Sequence, residues 1–281
     1  MNALEIGLCW GTLEKADLPD LIEAAGRHGF PTLSIRPDMV QATLDAEMSE
    51  AALRRRLADA GVRVRVIDAL TAGLPGMPAT VDLGGQVVAR PDADACFRVA
   101  EAVGAPIVNV ALYGGQPAPL AAIAEAIGAV AERARARGIA LILEFIPGTA
   151  MPDITAAHAV AQASGAANCS ILLDTWHLAR SGGTLADVAA LPPGAIGSLQ
   201  ICDRTPPPPG TPYVPMTGRD LPGEGQLPLG PICAAARLNN PALTAEIEVF
   251  SAELRDMTVD AAAARVAAAI ARWREREGRG L

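Results

Sequence analysis

Acidic and amide side chains stand at or near the ends of four successive apolar segments in the second half of the chain. The segments read LILEFIP, ILLDTWH, SLQICD and AEIEVF. Two or three carboxylates plus an amide oxygen make a hard, oxygen-rich ligand set that suits Mn2+, Mg2+ or Co2+. A single acid in such a place is more often a helix N-cap or a solvated strand end, but four in succession favour one shared site. The candidate residues are Glu144, Asp174, Gln200, Asp203, Glu246 and Glu248.

A shared site requires elements whose ends meet, and the sequence predicts such elements. Short β-rich apolar runs alternate with Ala-rich amphipathic stretches along the chain, which is typical of repeated βα units and a parallel sheet. In a barrel of eight units the carboxyl ends of the strands converge on one pocket. We therefore predict an α/β fold, a single (β/α)8 TIM barrel domain over residues 1–281. Its strands are expected around 6–10, 32–36, 63–67, 107–110, 140–144, 170–174, 197–201 and 243–249.

Two connections are longer than the others, at about 68–90 and 203–226, and long loops on this face of a barrel carry function. The second contains the run TPPPPGTPYVP, which we interpret as a stiff active-site loop, and then LPGEG. Gly223 and Gly225 of LPGEG are expected to let the backbone approach a ligand. His177 follows Asp174 by three residues and is expected to bind substrate or to support a metal ligand.

Composition and charge narrow the choice of partners. Apolar residues make up 51% of the chain and aromatic residues only 3%, which indicates a core of Ala, Val, Leu and Ile. The net charge is -8 and the basic residues are scattered apart from an arginine run at 54–56, so we expect no nucleic-acid partner. Five cysteines without CxxC spacing indicate a reducing, cytoplasmic compartment. No apolar run reaches the roughly 18 residues needed to span a bilayer, so no membrane partner is expected.

The ordered set LEFIPG, LLDTWHLARSGG, LQICDR, LPGEG and EVFS resembles the sugar phosphate isomerase/epimerase family of the xylose isomerase-like TIM barrel superfamily. The N-terminal half matches this family only in its pattern. The resemblance implies one divalent metal ion, Mn2+ or Mg2+ in the first place and Co2+ or Zn2+ as alternatives. It implies the metal ligands Glu144, Asp174, Gln200 and Glu248. Glu246 remains an alternative to Glu248, because both side chains lie on the same face of a strand.

Two departures from the family pattern bear on the reaction. Gln200 stands where many sugar epimerases have a histidine, and this brings in the 3-dehydroshikimate dehydratases, which are similar in having a glutamine here. The chain has three histidines in total, too few for the trinuclear zinc cluster of the DNA-repair endonucleases of the same fold. The resemblance therefore implies a small-molecule enzyme with more than one reaction still open.

In related epimerases two metal-bound glutamates also move the proton. The resemblance therefore implies that Glu144 and Glu248 are the acid/base residues and that His177 and Arg219 bind substrate oxygens. The first hypothesis is an isomerase or epimerase of a small polyhydroxylated carbonyl compound, namely a sugar, sugar phosphate or inosose, acting through an enediolate. The alternatives are a lyase of the 3-dehydroshikimate dehydratase kind and a non-catalytic binding barrel. No phosphate cradle is evident, so a phosphorylated substrate is not assumed. Many relatives pair, which implies a homodimer or homotetramer.

Overall fold

Eight parallel strands form a closed barrel in the computed structural model, which describes residues 3–82, 84–208, 210–212, 214 and 216–277. Two short strands form a separate antiparallel hairpin between the third and fourth barrel strands. In chain order the barrel strands are β1 (Glu5–Cys9), β2 (Thr32–Ile35), β3 (Arg63–Leu70), β6 (Ile107–Ala111), β7 (Ala140–Glu144), β8 (Cys169–Asp174), β9 (Ile196–Ile201) and β10 (Thr244–Ile247), and the hairpin is β4 (Thr80–Asp82) with β5 (Val87–Ala89).

Helices cover the outside of the barrel and connect its strands. Several begin at a capping side chain, as when Asp17 accepts the backbone N–H of Asp20 and Asp153 accepts that of Ala156. In chain order the helices are α1 (Leu18–Arg27), α2 (Pro37–Asp45), α3 (Glu50–Asp59), α4 (Ala93–Val103), α5 (Leu120–Arg135), α6 (Ile154–Ala163), α7 (Thr175–Arg180), α8 (Leu185–Ala189), α9 (Leu229–Asn239), α10 (Ala252–Asp256) and α11 (Val259–Glu277).

The predicted barrel is confirmed, and each predicted strand lies within a few residues of an observed one. The first long connection differs from the prediction, because β3 continues to Leu70 and the hairpin occupies part of the rest. Of the proline-rich run in the second long connection, residues 209, 213 and 215 lie outside the described residues. None of the described helices is long and apolar enough to cross a membrane.

The barrel interior changes from apolar to polar over one layer of side chains. Val66, Ile107, Ile142 and Leu172 form a small buried cluster of their own, separate from the large core that includes the helices. Strand side chains alternate between faces, so the residue two positions later on each strand points into the barrel one layer higher. Those later residues are Asp68, Asn109, Glu144 and Asp174. The apolar cluster therefore forms the floor beneath a polar ring.

Candidate functional site

A ring of buried polar side chains closes the barrel at the carboxyl ends of its strands. Seven of the eight barrel strands contribute one member each, between two residues before and one residue after the strand end. All seven are buried, so their charges and hydrogen-bonding groups act on one another with little screening by water. The members are Cys9, Asp68, Asn109, Glu144, Asp174, Gln200 and Glu248.

Asp174 is held ionised by the helix that follows it. Its Oδ1 accepts the backbone N–H groups of Trp176 at 2.6 Å and of His177 at 3.0 Å, so the strand ends directly in the N-cap of α7. Its Oδ2 accepts Arg219 Nη1 at 2.8 Å. Burial alone would raise the pKa of Asp174. Arg219, His177 and the backbone donors outweigh this effect and lower the pKa to about 2. These donors therefore keep the Asp174 carboxylate ionised and hold it in one orientation.

Arg219 bridges two of the carboxylates that the sequence assigns to a metal. Its Nη1 lies 2.8 Å from Asp174 Oδ2 and 2.8 Å from Glu248 Oε2. The guanidinium is buried and lies over the rings of Trp176 and Phe250, at 4.9 and 5.4 Å from their centroids. Burial nevertheless raises the pKa of Glu248 well above its usual range, with Arg219 opposing the rise and Asp174 among the carboxylates that add to it. One arginine therefore does not neutralise this side of the ring.

Glu144 is held from both sides. Its Oε1 lies 3.2 Å from His177 Nε2, and its Oε2 accepts Asn109 Nδ2 at 2.7 Å. The His177 ring also approaches Asp174 Oδ2, at 3.9 Å, while its Nδ1 is buried and has no partner among the described residues. His177 therefore links two proposed ligands through one ring nitrogen and leaves the other available to a ligand.

The side-chain amide oxygen of Gln200 accepts no hydrogen bond from the described residues. Its Nε2 donates to Glu248 Oε1 at 3.3 Å, and its Oε1 is buried without a donor in the described part of the chain. Cys9 Sγ donates to the same Glu248 oxygen at 3.3 Å, and burial raises the pKa of this thiol well above its usual value, which keeps it a donor. A buried amide oxygen without a donor, next to carboxylates, suits a cation.

Cys9, Asp68 and Asn109 are the ring members that were not predicted as site residues, and Asp68 and Asn109 lie between Cys9 and Glu144. Asn109 Nδ2 donates to Asp68 Oδ1 at 2.7 Å as well as to Glu144, and Asp68 Oδ2 accepts Trp10 Nε1 at 3.2 Å. Burial, followed by the charge of Glu144, raises the pKa of Asp68 to about 6. An isolated polar residue inside an apolar strand, as in RVRVIDAL and IVNVA, was the signal that could have found both.

Four other candidates from the sequence are not members of the ring. Glu246 points into the barrel one layer below Glu248, where its Oε2 accepts Ser198 Oγ at 3.2 Å. Asp203 accepts the backbone N–H groups of Gly223 at 3.0 Å and Leu227 at 2.9 Å, so it anchors the LPGEG turn. A Cβ at Gly225 would meet the backbone of Arg204 and the carboxylate of Asp203, and one at Gly223 would meet the side chains of Arg276 and Trp273.

The residues present fit a divalent cation. Two groups of three buried ligand atoms each lie within 4.8 Å of one another: Glu144, Asp174 and His177 in one, and Cys9, Asp68 and Glu248 in the other. Contacts join the two groups, because Arg219 bridges Asp174 and Glu248. The surplus of carboxylates over positive side chains and the unpartnered oxygen of Gln200 both favour an added positive charge.

The fold recurs in solved structures of other proteins. The chain is similar to the IolI protein with a bound zinc atom (17% identity, 98% of this chain and 100% of that one, TM-score 0.81). It is similar to D-psicose 3-epimerase determined in the presence of D-fructose (16%, 97% and 99%, TM-score 0.73). It is also similar to AsbF of Bacillus anthracis, a probable 3-DHS dehydratase (15%, 92% and 97%, TM-score 0.72). At these identities the likeness establishes the shared fold.

Comparison of sequences gives the family. No curated protein matches the chain. The family described as xylose isomerase-like TIM barrel matches residues 22–276, which is most of the chain and includes every member of the polar ring except Cys9. The chain therefore belongs to the xylose isomerase-like TIM barrel family.

Proposed function

We propose that the protein is a divalent-metal-dependent isomerase or epimerase of a small polyhydroxylated carbonyl compound, a sugar, sugar phosphate or inosose, acting through an enediolate. The observation that carries this proposal is the convergence of Glu144, Asp174, Gln200 and Glu248, from four successive strands, in one buried ring. These four residues would hold the ion, and the unpartnered Gln200 Oε1 supports this assignment. Mn2+ and Mg2+ suit the oxygen ligands best, with Co2+ and Zn2+ as alternatives.

When bound, the ion would act as a Lewis acid on a substrate carbonyl and its neighbouring hydroxyl. Glu144 and Glu248 end strands that are separated by two others, so their carboxylates can approach a bound substrate from different sides. One carboxylate takes the proton from the carbon next to the carbonyl. Return of a proton to the same carbon from the opposite face gives an epimer, and delivery to the neighbouring carbon gives an isomer.

Arg219 and His177 are the proposed substrate-binding residues. Arg219 contacts Asp174 and Glu248 through Nη1, so a substrate oxygen can bind at the other nitrogens of the guanidinium. His177 offers its buried, unpartnered Nδ1. Both residues contact proposed metal ligands, so they would hold the reacting oxygens close to the ion.

A lyase of the 3-dehydroshikimate dehydratase kind is the second candidate. The specific observation in its favour is Gln200 in place of a histidine, together with the similarity to a probable 3-DHS dehydratase. The same proton removal, followed by loss of a β-hydroxyl as water, would give dehydration. Formation of an aromatic product from a cyclic enone creates a new ultraviolet chromophore, whereas epimerisation of a sugar does not.

The test begins with metal content. Elemental analysis by mass spectrometry should find a stoichiometric divalent ion in the purified protein and none in the Glu144→Ala, Asp174→Ala variant. The Glu125→Ala, Glu275→Ala variant is the matched control, because it loses the same charge from exposed helix positions and should keep the ion. Circular dichroism must show that both variants fold.

Activity then separates the reactions. The loaded protein is incubated with ketoses, inosose and dehydroshikimate, with sugar products resolved by chromatography and dehydration followed by ultraviolet absorbance. Epimer or isomer formation supports the proposal, and a rising absorbance with dehydroshikimate alone selects the lyase. If the wild-type protein binds none of Mn2+, Mg2+, Co2+ and Zn2+ after incubation with each ion, the isomerase or epimerase proposal and the lyase alternative are both contradicted. The non-catalytic binding barrel is then the remaining hypothesis.

A further inference from the structure

A buried arginine above the barrel lacks the partners that such a group normally has. Arg90 follows β5 and is only 8% exposed. Its Nη2 donates to the backbone oxygen of Tyr113 at 2.7 Å, and its guanidinium lies 4.8 Å from the centroid of the Tyr113 ring. Its Nε is buried and without a partner among the residues that the structure describes. No carboxylate in that part of the chain forms an ion pair with Arg90, so its charge is uncompensated there.

A second unsatisfied group lies in the adjoining segment. Thr71 follows β3, and its backbone N–H and that of Ala72 both donate to the oxygen of Pro91, at 2.9 and 3.0 Å. The hydroxyl of Thr71 is buried and has no partner within the described ranges. Two unpartnered polar groups thus occur on segments that are hydrogen-bonded to each other. Buried polar groups are normally paired, so this place is suited to a polar ligand.

These residues belong to the loops after the second, third and fourth barrel strands, across the mouth from Asp174 and Gln200. Arg36, in the loop after the second strand, is connected to the ring by contacts. The guanidinium of Arg36, just after β2, lies 4.4 Å from the centroid of a Trp10 ring, and Trp10 Nε1 donates to Asp68 in the ring. Arg36 is thus placed near the rim of the mouth, where its Nε also pairs with Asp38 Oδ1 at 2.9 Å and its other guanidinium nitrogens form no hydrogen bond or ion pair with the described residues.

The Tyr113 side chain lies within the electrostatic field of both arginines and of the ring. Burial raises the pKa of its phenol above the usual value, Asp68 and Glu144 add to the rise, and the positive charges of Arg90 and Arg36 oppose it. The residue is still 52% exposed, so a ligand in the mouth can reach it. The loops after β2, β5 and β6 therefore carry two arginines and a tyrosine phenol, whereas the ring below them carries carboxylates.

We propose that Arg90, the Tyr113 hydroxyl and Arg36 form a subsite for an anionic group of the substrate, a carboxylate or a phosphate. This inference rests on the proposed function, because it describes the far end of the same substrate. An anion is repelled by the carboxylate ring and attracted by the arginines, so the subsite orients the substrate with its carbonyl at the ring and its anionic end at the loops. Guanidinium groups suit both oxyanions, since they present several N–H donors in a fixed plane.

The test uses three polyols that differ only at one end and that need no turnover. D-Glucitol is neutral, D-gluconate has a carboxylate at C1 and D-glucitol 1-phosphate has a phosphate at C1. Isothermal titration of the dialysed, metal-loaded protein should show that one or both anions bind at least tenfold more tightly than D-glucitol. A preference for gluconate identifies a carboxylate subsite, and a preference for the phosphate identifies a phosphate subsite.

Variants then assign the preference to residues. Arg90→Gln should reduce the anion preference by roughly tenfold to a hundredfold, which is the usual effect of losing a charged hydrogen bond. Because the buried Arg90→Gln variant could fail to fold, Tyr113→Phe and Arg36→Gln, at more exposed positions, should each reduce it by about threefold to tenfold. Arg98→Gln loses the same charge from an exposed position of α4 and should keep the wild-type preference.

Three outcomes overturn the subsite. They are no measurable binding of either anion at millimolar concentration, anions that bind no better than D-glucitol, and a preference that survives in every folded variant. The proposed function fails by different measurements, namely absent metal or absent turnover. A protein with metal and activity on neutral ketoses but no anion preference would therefore lose only the subsite.

Discussion

Asp174 and Glu248 bind the same arginine nitrogen, yet their acidities differ because their other donors differ. Asp174 also accepts two backbone N–H groups at the start of α7, which stabilise its ionised form. Glu248 instead accepts a thiol and a side-chain amide and lies near other carboxylates, and burial raises its pKa. In the metal-free ring Glu248 is therefore the more readily protonated of the two carboxylates.

Asn109 is the residue whose removal should most directly disturb the ring. Its Nδ2 separates the carboxylates of Asp68 and Glu144, at 2.7 Å from each. Asn109→Leu keeps the approximate side-chain volume and removes both hydrogen bonds, so the two buried carboxylates would face each other without a donor between them. We expect the free energy of unfolding to fall by about 1–3 kcal/mol, measured by urea denaturation of the metal-free protein.

The control for Asn109→Leu is the same substitution combined with Asp68→Asn. If repulsion between the carboxylates causes the loss, removal of the Asp68 charge should recover part of it. A single variant as stable as wild type, or a double variant that recovers nothing, would contradict this explanation.

At the scale of elements, the position of Arg219 depends on how the loop after β9 is anchored. Asp203 accepts the backbone N–H groups of Gly223 and Leu227, and its own backbone pairs with that of Asp220. All three contacted residues follow Arg219 in the chain, and Arg219 itself reaches back to Asp174. The carboxylate of Asp203 therefore fixes the segment that follows the arginine.

Asp203→Ala should loosen this loop without unfolding the barrel. We expect the amides of Gly223 and Leu227 to exchange with deuterium roughly tenfold to a hundredfold faster, because each loses a hydrogen bond to a charged group. Amides within β8 should be unaffected. Asp220→Ala is the matched control, since it removes contacts to Thr205 and leaves those of Asp203. Equal exchange at Gly223 and Leu227 in wild type and Asp203→Ala would show that the anchor lies elsewhere.

The elements show why part of the site was predictable from sequence. Periodic apolar runs located the eight barrel strands, and parallel strands in a barrel must bring the carboxyl ends of β7 to β10 together. Asp68 and Asn109 were missed because a polar residue in an apolar strand shows its direction only once the register is known. The hairpin of β4 and β5 was missed because each strand has three residues and little apolar pattern.

At the scale of the whole molecule, the ring makes stability depend on positive charge. Asp68, Glu144, Asp174 and Glu248 are buried together, and Arg219 forms ion pairs with two of them, Asp174 and Glu248. A divalent ion that binds the folded barrel and not the unfolded chain stabilises the fold by mass action. At an ion concentration of 100 times Kd the gain is about 2.7 kcal/mol.

We therefore expect Mn2+ to raise the Tm by several degrees in calorimetry, and chelation to reverse the rise.

Arg219→Gln removes the cation between Asp174 and Glu248, so the free energy of unfolding of the metal-free variant should fall by about 3–5 kcal/mol. Because the ion then replaces a lost charge as well as filling its site, its stabilisation should be larger in this variant than in wild type. In Glu144→Ala, Asp174→Ala the ion should have no effect on Tm. An equal Tm rise in wild type and Arg219→Gln would mean that arginine and ion act independently, and the arginine would then serve the substrate alone.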